Sequence, residues 1–275
     1  MTLDAHQHFW QFDSVRDAWI SAEMAVLRRD FLPAGLQAVL KNNDVSGCVA
    51  VQADQSETET RFLLDLAEKN DFIEAVVGWV DLRAPALEER LEHWRQFSKL
   101  RGFRHILQAE KPGFILDPAF LRGIGLLGKH DFTYDLLVFP RHLRVLRHFL
   151  QKFENQKFIL DHLAKPYIKK GLIKQWRKDL RALAKQENLW VKVSGLVTEA
   201  DWRNWKPEDF RPYLDVVFEA FGSKRVVYGS DWPVCLLAAD YAGQKAILSD
   251  YLAPFSPAEK AGFWGENGKN FYSIR

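Results

Sequence analysis

Three short stretches of this 275-residue chain carry residues whose types and spacing could do chemistry. Near the start, Asp4-Ala5-His6-Gln7-His8 sets two imidazoles at i and i+2. On an extended strand alternate side chains share a face, so His6 and His8 point the same way, as do Asp4 and His6. Two such nitrogens make half of a metal site. In the middle, the apolar run Ile159-Leu160 passes abruptly into Asp161-His162. Polar groups there are costly unless paired or used. His162 is read as a third ligand or a proton-transfer group. Near the end, Val226-Val227-Tyr228-Gly229-Ser230-Asp231-Trp232-Pro233 offers a carboxylate after an apolar strand. Asp231 then shares a face with Val227 and Gly229 and suits a metal ligand, a general base, or both.

Each stretch also has a bland reading. The first is a polar strand end with two ordinary histidines. The second is a structural histidine bonded to a loop carbonyl. The third is a turn aspartate before Pro233. Chemistry gains weight only if one fold brings the three together.

The elements between them supply such a fold. Eight β-type runs recur: Leu3 to Gln7, Gly47 to Ala53, Glu74 to Leu82, Leu100 to Leu107, Phe132 to Val138, Lys157 to Ala164, Leu189 to Gly195 and Arg225 to Trp232. Each interval leaves room for one helix, which a parallel crossover requires. Glu57 to Asn70, Pro85 to Phe97, Arg141 to Phe153 and Tyr213 to Phe221 show apolar i, i+3, i+4 spacing. The alternation predicts an α/β protein, a single-domain (β/α)8 barrel over residues 1–275. A doubly wound sheet is the alternative, but no Gly-rich loop follows the first run. The long stretch 9–33 is expected to pack over the barrel mouth.

In such a barrel the active site lies at the C-terminal strand ends. That adds Arg104 and His105 from Gly102-Phe103-Arg104-His105, and Gln52 from Val51-Gln52-Ala53. One of Arg104 and His105 faces outward unless a bulge intervenes. Arg104 suits a carbonyl or carboxylate oxygen. Asp135, Lys165, Lys192 and Ser194 are further polar positions, and Lys192 is the most unusual because its strand is apolar. His93, His130, His142 and His148 are read as solvated.

Composition excludes several classes. The chain is 47% hydrophobic and 27% charged, an ordinary globular balance. A formal charge of +2 gives no electrostatic case for nucleic acid or an anionic membrane. Two cysteines cannot form a disulfide framework. The opening residues lack a basic and an apolar signal region, so a cytoplasmic protein is expected.

The ordered set DAHQHFW, VQA, GFRH, LDHLAKP, VKVSGL and YGSDWP resembles the amidohydrolase superfamily, and within it the amidohydrolase-2 branch that holds sugar-acid lactonases. The likeness runs from residue 4 to Phe263-Trp264-Gly265-Glu266-Asn267. It implies the (β/α)8 barrel, with His6, His8 and Asp231 matching the family's His-x-His pair and final aspartate. It also implies hydrolysis of an ester bond in a lactone, a small-molecule substrate, with Asp231 accepting the proton of the attacking water. Two-metal members carry a lysine where this chain reads Gly102-Phe103-Arg104-His105, and a histidine where it reads Tyr134-Asp135-Leu136-Leu137. The resemblance therefore implies one divalent metal, zinc by ligand type, on His6, His8, His162 and Asp231, or a metal-independent site. Asp231 and His162 are the expected catalytic groups. Gln52, Arg104, His105 and Trp19 are the expected substrate contacts.

A carboxylated lactone is an alternative substrate for the same hydrolysis, and two rivals of other kinds remain at this level. A decarboxylase of the same branch would use the same groups, and consumes a proton where lactone hydrolysis releases one. A barrel that only binds a metabolite would have no reason to keep His6, His8, His162 and Asp231 at strand ends.

Overall fold

A computed structural model describes residues 1–274. Among them, eight parallel strands hydrogen-bond in sequence order: β1 Leu3–Gln7, β2 Gly47–Val51, β3 Ile73–Gly78, β4 Leu100–His105, β5 Thr133–Leu136, β6 Phe158–Leu160, β7 Leu189–Val193 and β8 Val226–Tyr228. The seam between β1 and β8 closes through backbone bonds from residues past the end of β8. Asp231 N donates to His6 O at 2.8 Å, and His8 N donates to Trp232 O at 2.7 Å. The fold is a (β/α)8 barrel.

Eleven α-helices accompany the strands among the described residues: α1 Pro33–Asn42, α2 Glu57–Lys69, α3 Leu87–Trp94, α4 Pro118–Lys129, α5 Leu143–Leu150, α6 Lys174–Leu183, α7 Leu196–Glu199, α8 Pro207–Phe221, α9 Tyr241–Tyr251, α10 Pro257–Ala261 and α11 Asn267–Phe271. Their starts are chemically marked. Ser56 caps α2 by accepting from Glu59 N, and Asp117 caps α4 by accepting from Ala119 N and Phe120 N. No described helix is long and apolar enough to cross a membrane.

The core has two parts. A large cluster fills the space between strands and helices. A smaller one, with Leu3, Ala5, Val49, Val77, Ile159 and Val227, fills the barrel interior and is joined by Phe271 and Tyr272. In β1 the register slips between Asp4 and Gln7. The bulge lets Ala5 join the interior cluster while His6 also faces the barrel lumen. Asp4 instead reaches Tyr241 of α9 in the outer layer, so Asp4 and His6 do not share a face as plain alternation suggests.

Most strands stop earlier than the hydrophobic runs suggest. β6 ends at Leu160 rather than Ala164, and β8 at Tyr228 rather than Trp232. The reason is local: His162, Leu163, Ala164 and Lys165 have φ of 53°, 55°, 59° and 50°, and Asp231 has 58°. Backbone in the left-handed region cannot continue a strand. Asp231 therefore lies on a turn, not on the Val227–Gly229 face. Helix α8 begins at Pro207, earlier than the expected Tyr213, and Pro212 lies inside it. His130 and His142 are buried rather than solvated. His142 bonds to Phe139 O and Glu110 O.

Candidate active site

The three stretches converge. Asp231 Oδ1 lies 3.4 Å from His8 Nε2 and 3.8 Å from both His6 Nε2 and His162 Nε2. The two Nε2 atoms of His6 and His8 are 3.2 Å apart. Gly195, at φ +60°, lets the chain after β7 pass close by. A Cβ there would sit 2.8 Å from His162 Nδ1 and 3.1 Å from Asp231 Oδ2.

Second partners fix each ring. His8 Nδ1 faces Val51 O at 2.7 Å, which places the proton on Nδ1 and leaves Nε2 a lone pair. His162 Nδ1 meets Ser194 Oγ at 2.9 Å. His6 Nδ1 lies 3.2 Å from Asp161 Oδ1 and 3.1 Å from Lys192 Nζ. A proton on Nδ1 would serve Asp161 and free Nε2, whereas a lone pair there would accept from Lys192, so these two contacts call for opposite tautomers of His6. Burial holds His6 and His162 well below the usual imidazole range, so both rings are neutral. Burial pushes the Asp231 carboxyl up, but His162 and His8 outweigh it. The group ends below its ordinary value and ionised.

Beneath these rings lies a buried charge network. Lys192 Nζ pairs with Asp135 Oδ2 at 2.5 Å and Asp161 Oδ1 at 3.1 Å. Arg104 Nη1 donates to Asp161 Oδ2 at 3.0 Å and Nη2 donates to Gln52 O. Tyr272 OH donates to Asp135 at 2.8 Å. Burial raises Asp135 to about 6 against the pull of Lys192. Asp161 resists burial through Lys192, His6 and Arg104 and stays well below the carboxylate range. Three carboxylates (Asp135, Asp161, Asp231) face two cations (Arg104, Lys192), a formal excess of one negative charge.

The donor set fits a divalent cation. His6, His8 and Asp231 each turn one ligand atom into a cluster spanning no more than 4.8 Å. Two imidazoles with a carboxylate match zinc, and the bonds behind the rings pre-orient them. His162 falls in a second triad with His6 and Asp161. The four expected ligands thus divide between two overlapping sets.

Matches to known proteins agree with this geometry. The amidohydrolase family model matches residues 3–274. The chain belongs to the amidohydrolase family. Among amidohydrolases of known activity it is 41% identical to an L-fucono-1,5-lactonase of Burkholderia multivorans, across 100% of this chain and 96% of that one. It is 36% identical to an L-fucono-1,5-lactonase of Burkholderia ambifaria, across 99% and 95%. A crystal structure of an amidohydrolase from Burkholderia multivorans with bound zinc superposes with a TM-score of 0.97 at 40% identity, covering all of both chains.

The other expected contacts of this family member are more scattered. Gln52 is fully buried and donates to Arg104 O at 3.0 Å, so it props Arg104. His105 takes the face opposite Arg104, as strand alternation requires. Its ring stacks on Phe114 and bonds to Trp79 Nε1 and Glu110. Trp19 is 46% exposed and packs edge-on against Trp10. Trp232, between Phe9 and Phe31, ties the 9–33 segment to the end of β8. Sequence reasoning left Asp161, Tyr272 and Glu199 without roles. Asp161 had a signal, since it breaks an apolar run. Tyr272 had none, because only the closed barrel brings residue 272 to residue 135.

Proposed function

We propose that this amidohydrolase opens a sugar-acid lactone, of the L-fucono- or L-rhamnono-lactone type, to its aldonic acid. The carrying observation is one ionised carboxylate, Asp231, within 3.8 Å of three imidazole nitrogens at the barrel mouth. The identity to two L-fucono-1,5-lactonases supports the substrate class.

The water oxygen bonds to the carbonyl carbon, the ring C–O bond breaks, and the ring oxygen leaves as a hydroxyl. Asp231 takes the water proton. His162, neutral and anchored by Ser194, carries it to the leaving oxygen. Arg104, its donors held by Asp161 and Gln52, places fixed positive charge under the developing oxyanion. One zinc on His6, His8 and Asp231, with His162 facing it, would supply Lewis-acid polarisation and a more acidic water. A specific contact favours a second, metal-independent reading. Arg104 Nη1 lies 3.3 Å from His6 Nε2, on the lone pair that a cation would take.

The same reading treats residues 1–275 as one domain with 9–33 beside the mouth. It takes a cytoplasmic small molecule as substrate and no nucleic acid or membrane as partner. The test is a dye-monitored pH assay on a panel of aldono-lactones. Rapid acidification on a deoxy-sugar lactone is expected. Proton uptake on carboxylated substrates, with silence on every lactone, would replace hydrolysis by decarboxylation.

A further inference from the structure

The groups around Asp231 are almost entirely shut from solvent. The side chains of Asp231, His8, His162 and Arg104 are each 6% exposed or less. Lys165 and Glu199 differ. Their side chains keep 18% and 17% exposure and pair at 3.3 Å, Lys165 Nζ to Glu199 Oε1. Both lie near enough to Asp231 for its charge to act on them. They come from different loops. Lys165 ends the left-handed turn after β6, and Glu199 ends helix α7 after β7.

The turn holding Lys165 is costly. Four consecutive non-glycine residues, His162 to Lys165, sit at φ between 50° and 59°. Left-handed backbone costs L-residues roughly 1 kcal/mol each or more. Such strain persists where surrounding structure enforces it, and it collects at functional sites. Here Trp176 Nε1 pins the turn by donating to Leu163 O at 2.8 Å. The same turn aims His162 at Asp231 and Lys165 at Glu199.

The geometry points to the Lys165–Glu199 pair as the specificity-determining contact that reads ring hydroxyls of the lactone. This rests on the lactonase reading above. A hydroxyl both donates and accepts. An ammonium beside a carboxylate offers three donors next to an acceptor, matched to two neighbouring hydroxyls of fixed configuration. A lactone with one hydroxyl inverted leaves part of the pair unmatched at a half-buried site, where that mismatch is expensive. The pair would therefore sort lactones by configuration and leave bond cleavage to Asp231.

The experiment compares kcat/KM for L-fuconolactone and L-rhamnonolactone, two deoxy-lactones that differ in hydroxyl configuration. The purified full chain is assayed with Lys165→Met and Glu199→Gln. Each variant should raise KM more than it lowers kcat, and compress the preference between the two lactones by about tenfold or more. If a single variant melts early, Lys165→Met/Glu199→Met restores an uncharged packed contact and the ratio is read there. A ratio unchanged within about twofold, while both rates fall together, overturns the inference and leaves the pair as a clip between two loops. A wild-type protein inert toward both lactones overturns the lactonase reading and this inference with it, so the two failures are distinguishable.

Discussion

The backbone amide of Asp231 donates to the carbonyl of His6 at 2.8 Å, 225 positions apart in the chain. This bond is part of the barrel seam, so closing the barrel and assembling the site are one event. Asp4 reinforces it from outside. Its Oδ1 accepts from Ser230 N at 2.8 Å and His6 N at 3.2 Å, and its Oδ2 accepts from Tyr241 OH at 2.9 Å. One carboxylate thus sets the backbone on both sides of the seam at the candidate site.

Asp231→Asn keeps the size and backbone of residue 231 and removes its basicity. Turnover should fall about 10²- to 10⁴-fold, with little change in melting temperature. Retained turnover in a folded variant would remove Asp231 from the role of base.

Metal dependence separates the two readings of the site. Elemental analysis of the isolated protein should find about one zinc per chain, and His6→Ala or His8→Ala should lower it. Dialysis against a chelator should then abolish activity, and zinc should restore it. Full activity after chelation, with no metal found, would establish the reading in which Arg104 holds the His6 Nε2 lone pair.

Lys192 is fully buried between Asp135 and Asp161. Lys192→Met leaves both carboxylates short of a partner and should cost about 3–5 kcal/mol in urea unfolding. Adding Asp135→Asn should recover part of that loss. If the double variant is as unstable as the single one, the pairing is not what holds this layer.

Glu59 gives a pH signature. Burial lifts its carboxyl to about 7, although Ala53 N donates to it at 3.0 Å. A raised folded-state value means the native protein holds this proton more tightly than the unfolded chain. Stability is therefore lost as pH rises from about 4.5 to about 7, and the loss is complete above that. Glu59→Gln keeps an acceptor for Ala53 without the charge. At pH 8 it should melt higher than wild type, by about 2–4 °C for each kcal/mol recovered, and the advantage should vanish near pH 4.5. An equal gain at both pH values would locate the effect elsewhere.

Strand starts were legible because apolar runs begin sharply. All eight began within one residue of the expected position, and β1 matched at both ends, while β3 and, with more consequence, β6 and β8 were over-read by four residues at their C-terminal ends. The excess residues of β6 and β8, Asp161 to Ala164 and Gly229 to Trp232, include the reactive ones. Left-handed turns leave little trace in hydrophobicity when no glycine marks them. His6, His8, His162 and Asp231 were legible as residue types placed before turns. Of their supports, Asp161 showed only as a break in an apolar run and Ser194 only as a polar strand end, while Tyr272 gains meaning solely from a partner brought near by closure. His142 read as surface because it borders an amphipathic helix, yet its ring is spent bonding two carbonyls.

The four-residue left-handed turn also bears on engineering this protein. Replacing Ala164 by glycine would relieve backbone strain and is the kind of change a thermostability screen rewards. It would also give the segment freedom to leave the one conformation that aims His162 and Lys165. Heat tolerance and turnover are thus set against each other at a single residue that carries no functional group.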